Sequence, residues 1–182
     1  MKIFISGGVK NGKSHYALTR AKELAEDGNL PLYYVATMIP GDREDEARIK
    51  RHIEERRGLG FTTIEQGRDI SKILTPENRE GVFLLDSVTA LLANVMFDPE
   101  SDYRYNEKAG DEVLADLLEF SNKAENIIFV SDYIYGDTGS DLAPEADHTE
   151  DYIKALARVD RGLAKACHEV IEISAGLPIK YK

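Results

Sequence analysis

Tryptophan is absent from this 182-residue chain, and cysteine occurs once. A lone Cys167 cannot close an internal disulfide, which rules out a disulfide-stapled fold and fits a reducing compartment. Late in an apolar helical pattern, it reads as a small buried residue. No apolar run approaches the length of a membrane span, and a glycine-rich turn begins at Gly7, too early to leave room for a signal peptide. Positive charge is also scarce: 33 Asp and Glu face 23 Lys and Arg, a formal charge of −10. That balance argues against a sequence-independent nucleic-acid binder, which needs a basic surface, although one anionic nucleotide could still be held locally. His15, His52, His148 and His168 lack metal-ligand spacing with another His or Cys, so no structural metal is expected. The expectation is a cytoplasmic protein with no nucleic-acid partner and no membrane insertion.

Apolar residues make up 42% and charged residues 31% of the chain, ordinary values for a globular protein. Residues 1–182 fit a single domain. Strand-like runs "KIFIS" (2–6), "LYYVA" (32–36), "FTTIE" (61–65), "VFLLD" (82–86), "NIIFVS" (126–131) and "EVIEIS" (169–174) alternate with helical stretches. The helical stretches cover 13–27, 42–57, 88–97, about 111–124 and about 149–167. "VFLLD" is continuously apolar, as in a strand buried on both faces. This alternation predicts an α/β fold with a mostly parallel sheet and helices on both faces. The closing "EISAGLPIKYK" predicts a tight turn into an antiparallel edge strand. Residues 98–110 and 132–147 read as polar and turn-rich excursions.

Gly7, Gly8, Val9, Lys10, Asn11, Gly12, Lys13 and Ser14 form "GGVKNGKS", a match to G-x-x-x-x-G-K-[ST]. The glycines let the backbone coil and turn its amides onto phosphate oxygens. The lysine neutralises charge at the β/γ phosphates, and the hydroxyl completes a Mg²⁺ shell. The preceding strand and following helix are the context this P-loop (Walker A) requires, and the helix adds its positive dipole end. Asp86, closing a buried strand, fits the acid that holds the Mg²⁺ water shell, and is equally suited to cap the next helix.

His52 lies in "ARIKRHIEERR". On a helix, Asp45, Ile49, His52, Ile53 and Arg56 share one side. Ile49 and Ile53 are expected to face the core, leaving His52 at its border. Arg48 and Arg56 lie one turn to either side. Two readings remain open on the residues alone: a phosphate-attacking nucleophile kept neutral by guanidinium neighbours, or a solvated histidine in a charged helix.

Taken together, these segments resemble the adenosylcobinamide kinase/adenosylcobinamide-phosphate guanylyltransferase family of cobalamin biosynthesis. The loop is similar to that family's G-G-x-R-S-G-K-S, and "YYVAT" (33–37) to Y-[IV]-A-T. "DREDEARIKRHIEERR" matches D-x-E-x-x-x-R-I-x-x-H-x-x-x-R, "FTTIE" echoes W-x-T-x-E, and "LLDSVT" matches L-L-[DE]-C-[LI]-T. "SAGLPIKYK" is close to S-G-I-P-x-x-L-K. The likeness runs almost end to end.

The resemblance implies a RecA-like P-loop NTPase fold and a bifunctional kinase and guanylyltransferase, a transferase of phosphorus-containing groups. It implies that His52 attacks the α-phosphate of GTP, forms a guanylyl-histidine and passes GMP to adenosylcobinamide phosphate. That phosphate is first made from adenosylcobinamide with GTP or ATP. Lys13 would hold the triphosphate, with Ser14 and Asp86 on Mg²⁺, partly through water. Ala36, Thr37, Arg48, Ile53, Glu54, Glu55, Arg56 and Glu65 join the loop as implied nucleotide-binding positions. A homotrimer is implied as well.

The chain departs from the family's V-[ST]-N-E-V-G-x-G-[IL]-V-P at "VSDYIYGDTGSDLAP" (130–144), where Asp132 and Tyr133 replace Asn-Glu. It also departs at "YIKALARVDR" (152–161), where Asp160 falls on a buried stripe and is expected to pair with Arg158 or Arg161 or to face a pocket. These changes keep two alternatives in view. One is a relative that retains only guanylyl transfer, and the other is a P-loop small-molecule kinase with a different acceptor.

Overall fold

The computed structural model describes residues 1–41, 43–98, 103–134 and 148–182, with the side chain of residue 44 also left out of account. Within them lie β1 (Lys2–Gly7), α1 (Lys13–Gly28), β2 (Leu32–Ala36), α2 (Arg43–Glu55), β3 (Thr62–Glu65) and β4 (Val82–Asp86). These are followed by α3 (Val88–Met96), β5 (Phe97–Asp98), β6 (Arg104–Tyr105), α4 (Ala109–Lys123), β7 (Asn126–Asp132), α5 (Thr149–Ala166), β8 (Glu169–Ser174) and β9 (Leu177–Lys180). The predicted elements are all present, with ends shifted by one or two residues. Two features were not anticipated. A short 3₁₀ turn spans Ile70–Ile73, and β5 and β6 form a small antiparallel hairpin inside the excursion predicted to be irregular.

Seven strands form one sheet in the order β3-β2-β4-β7-β1-β8-β9. All neighbours pair in parallel except the closing β8–β9 hairpin. The apolar runs are long because both faces of the central strands are covered. On one face α3, α4 and α5 bury Phe83, Leu85, Phe120, Phe129, Leu156 and Val159. On the other face α1 buries Ile3, Ile5, Ala17, Ala21, Leu84 and Val130.

Helix α2 belongs to neither cluster. Ile49 is half-buried, but Ile53 is 41% exposed, which corrects the expectation that both isoleucines face the core. The helix instead borders the space at the ends of β2 and β4, with Ile49 on its wall and Ile53 outside it.

Cys167 is free and 1% exposed, and burial pushes its thiol up to about 12. Asp160 is buried, at 6% exposure. Its Oδ2 accepts a hydrogen bond from Ser131 Oγ at 3.1 Å, while Arg158 pairs with Asp111 and Arg161 donates to the Ala157 carbonyl. The anticipated arginine partners therefore point elsewhere, and a serine on β7 supplies a contact. The His148 ring stacks on Tyr105 with centroids 3.7 Å apart, and its Nδ1 lies 3.6 Å from Asp151 Oδ2. Most of the turn-rich 132–147 segment lies outside the described residues.

Parallel pairing aligns the carboxyl ends of the strands along one edge. Gly7 is in register with Asp132 on β7 and Ile173 on β8. The neighbours leave no room there: a Cβ on Gly7 would sit 2.4 Å from the Ile173 carbonyl oxygen. Gly7→Ala is therefore expected to push β1 off β8, costing about 1–3 kcal/mol in denaturant unfolding. The same variant should lose nucleotide binding in a parallel titration.

Candidate active site

Gly12, at φ +87°, turns the chain into α1 in a conformation that suits glycine. No side chain caps α1, so its first amides stay available at the loop. Lys13 points back over this loop and is 5% exposed. Its Nζ donates to the Gly8 carbonyl at 2.7 Å and pairs with Asp132 Oδ1 at 2.8 Å.

A cavity of about 680 Å³ opens above the loop. Of the predicted site residues, Val9, Lys10, Asn11, Gly12, Lys13, Ser14, Arg48, His52, Glu55 and Asp86 line it. A second cavity of about 220 Å³ shares Met38, His52, Asp86 and Ser87 with the first and adds Tyr34, Ala36, Ile49, Arg56 and Glu65. The glycine loop of β1, the acid of β4 and the histidine of α2 thus meet around one space, although they come from three separate parts of the chain.

Other predicted positions stand apart from both cavities. Gly7 is the crowded strand end, and Gly8 serves the lysine through its carbonyl. Thr37 is fully buried and clamps Ser87: its Oγ1 donates to the Ser87 carbonyl and accepts from the Ser87 N–H, both at 2.8 Å. Ile53 is exposed, and Glu54 pairs with Arg57 at 2.8 Å.

His52 shares the larger cavity with Arg48 and Arg51 and the smaller one with Arg56, and a carboxylate joins these cations. The His52 Nδ1 lies 3.5 Å from Glu55 Oε2. The Arg56 guanidinium sits 4.2 Å from the centre of the Tyr34 ring, and its Nε donates to Thr63. Tyr34 in turn donates its hydroxyl to Asp86 Oδ2 at 3.0 Å. A cation–π contact and a hydrogen bond therefore run from α2 through β2 to the acid of β4.

Burial raises the Asp86 carboxyl above its ordinary value. His52 and hydrogen bonds from Ser14 and Tyr34 pull it back, while Asp132 adds to the rise. A partly desolvated carboxylate touching the loop serine is a hard-oxygen donor set of the kind Mg²⁺ takes, and a cation there would relieve the cost of ionising Asp86. Among the described residues no group of three or more His, Cys, Asp or Glu forms a metal cluster, and no helix is long and apolar enough to cross a membrane.

Sequence reasoning missed Asp132, Tyr34, Met38 and Arg51. Asp132 carried the same signal as Asp86, an acid ending a buried apolar strand. Tyr34 and Met38 are ordinary apolar residues until the topology places them.

A family model described as cobinamide kinase / cobinamide phosphate guanyltransferase matches residues 3–181. The chain belongs to that family. It is therefore a transferase, and the resemblance first read from the loop and the histidine helix holds over nearly its whole length. Relatives include the bifunctional adenosylcobalamin biosynthesis protein CobU of Escherichia coli K12, 27% identical over 190 residues and all of both chains. Another is the CobP protein of the same description from Pseudomonas aeruginosa, 28% identical over 183 residues, covering all of this chain and 98% of that one. Among solved structures, the ATPase domain of G40P aligns with a TM-score of 0.51 at 11% identity, covering 93% of this chain and 68% of that one. That likeness shows the RecA-like P-loop fold.

Because burial raises Asp86, the ionised acid weighs against folding above the unfolded carboxyl value, and the penalty is absent below it. Asp86→Asn should then melt at a higher temperature than the nucleotide-free wild type at pH 7. The difference should close below about pH 4, as thermal melts across that range would record. The same substitution should weaken nucleotide binding in Mg²⁺.

Proposed function

We propose that this protein phosphorylates adenosylcobinamide with GTP or ATP and then transfers GMP from GTP to adenosylcobinamide phosphate through a guanylyl-histidine at His52. The observation that carries this reading is that His52 and Lys13 line one cavity, so a triphosphate seated on the loop can present its α-phosphorus to the imidazole. The names of the CobU and CobP relatives support the cobalamin setting.

The loop amides and Lys13 hold the β/γ phosphates and stabilise the charge that grows on pyrophosphate as it leaves. Glu55 faces Nδ1, holding the ring in the tautomer whose Nε2 lone pair attacks phosphorus. The bond from the α-phosphorus to the bridging oxygen breaks as the Nε2–phosphorus bond forms. The acceptor phosphate then displaces histidine, restoring the ring. Arg48 lines the same cavity and adds positive charge. The smaller cavity, with Tyr34, Ile49 and Ala36 as apolar walls and Glu65 at its rim, takes the guanine, and Glu65 accepts from its N–H groups. Ser14 and Asp86 are the residues that would hold Mg²⁺, which when bound neutralises phosphate charge.

Leu177 and Tyr181, 69% and 66% exposed on the edge-strand segment, together with Ile179 at 44%, form an apolar strip that a homotrimer would cover. Leu177→Asp should then shift the sedimentation coefficient toward that of a monomer, and an unchanged value would count against this placement of the interface.

The decisive experiment supplies GTP labelled at the α- or the γ-phosphate without corrinoid, then counts acid-labile, alkali-stable label on the denatured chain. Label from the α position alone, lost in His52→Ala, is the expected result. Nucleotide binding without retained label would refute the covalent route. Corrinoid phosphorylation persisting in that case would favour the kinase alternative.

A further inference from the structure

Asp132 ends β7, the strand between the one carrying the glycine loop and the one ending in Asp86. Its main chain is fixed on two sides. The Asp132 N–H donates to Thr89 Oγ1 on α3 at 2.8 Å, and the Tyr133 N–H donates to the Gly7 carbonyl at 2.8 Å. The carboxylate is therefore mounted on the sheet. Its Oδ1 lies 2.8 Å from Lys13 Nζ, and it lines the cavity above the loop.

A phosphate chain seated on the loop competes with Asp132 for that ammonium. The Lys13 side chain can turn to the phosphates, whereas the Asp132 main chain is tied to α3 and β1, which keeps its carboxylate on the cavity wall. Once the pair opens, Asp132 stands beside the phosphates as an uncompensated negative charge, with Asp86 a second acid on the same rim. The Asp132 side chain is 31% exposed, and like charges at short range in such a half-buried setting repel more strongly than in bulk water. A divalent cation cancels two of the phosphate charges and removes much of that repulsion.

We propose that Asp132 is a specificity-determining residue: it neutralises Lys13 in the nucleotide-free site and makes the site select a metal-complexed triphosphate over a metal-free one. This rests on reading the glycine loop as a triphosphate site. It does not depend on the corrinoid or on covalent chemistry at His52.

The test titrates wild type, Asp132→Asn and Asp132→Ala with GTP by calorimetry, in excess Mg²⁺ and in EDTA at matched ionic strength. Circular dichroism checks the fold of each variant. In EDTA both variants should bind GTP at least about tenfold more tightly than wild type, whereas in Mg²⁺ the change should stay within about threefold. Agreement between Asn, which can still accept a hydrogen bond from Lys13, and Ala, which cannot, would assign the effect to charge. Metal-free affinity that is unchanged or weaker in both variants would overturn the proposal. So would a wild type that binds GTP equally well in Mg²⁺ and EDTA, a measurement that needs no variant. Wild type that binds no GTP even in Mg²⁺ would overturn the triphosphate site and this proposal together. Failure to retain α-label on the chain, by contrast, bears only on the covalent route.

Discussion

A lysine ammonium with almost no contact with water has to be held, and the arrangement of the site follows from how this chain holds Lys13. The Gly8 carbonyl and the Asp132 carboxylate share that charge. For both to reach it, the loop must double back over the start of α1 and β7 must end beside β1. The parallel register of Gly7 with Asp132 provides the second condition. Buried charges persist only when paired or strongly hydrogen-bonded. The lysine of the glycine loop thus meets the cavity as one half of an ion pair with Asp132.

The central strands were legible because burial on both faces writes unbroken apolar runs, as in "VFLLD" and "NIIFVS". The glycine loop was legible because its backbone demands fixed residue types at fixed spacing. Asp86 could be found as an acid closing such a run. Asp132 closes another, yet it went unread because its role depends on Lys13, which meets it only through strand pairing.

The misreadings share a cause. Ile53 was assigned to the core from helical periodicity, but periodicity records which residues share a face and not whether anything covers that face. Arg56 lines the smaller cavity with His52, but its contact with the Tyr34 ring was not legible because it depends on how β2 sits beneath the helix. The stacking of His148 on Tyr105 was not legible because Tyr105 comes from a hairpin too short to leave a pattern. Asp160 found Ser131 across a helix–sheet contact that no local rule encodes.

Neither apolar cluster takes a residue from α2. This helix presents His52, Arg48 and Glu55 to the cavity, and its ties to the sheet include the stacked Arg56 and one hydrogen bond to Thr63. The α2 side chains that line the cavity are therefore not among those that build the apolar core. Substitutions along the outer turns of α2 would be filtered by what they do to chemistry, with little interference from the need to keep the sheet intact. Such a helix can explore new chemistry at small risk to the fold, whereas the strands beneath it cannot.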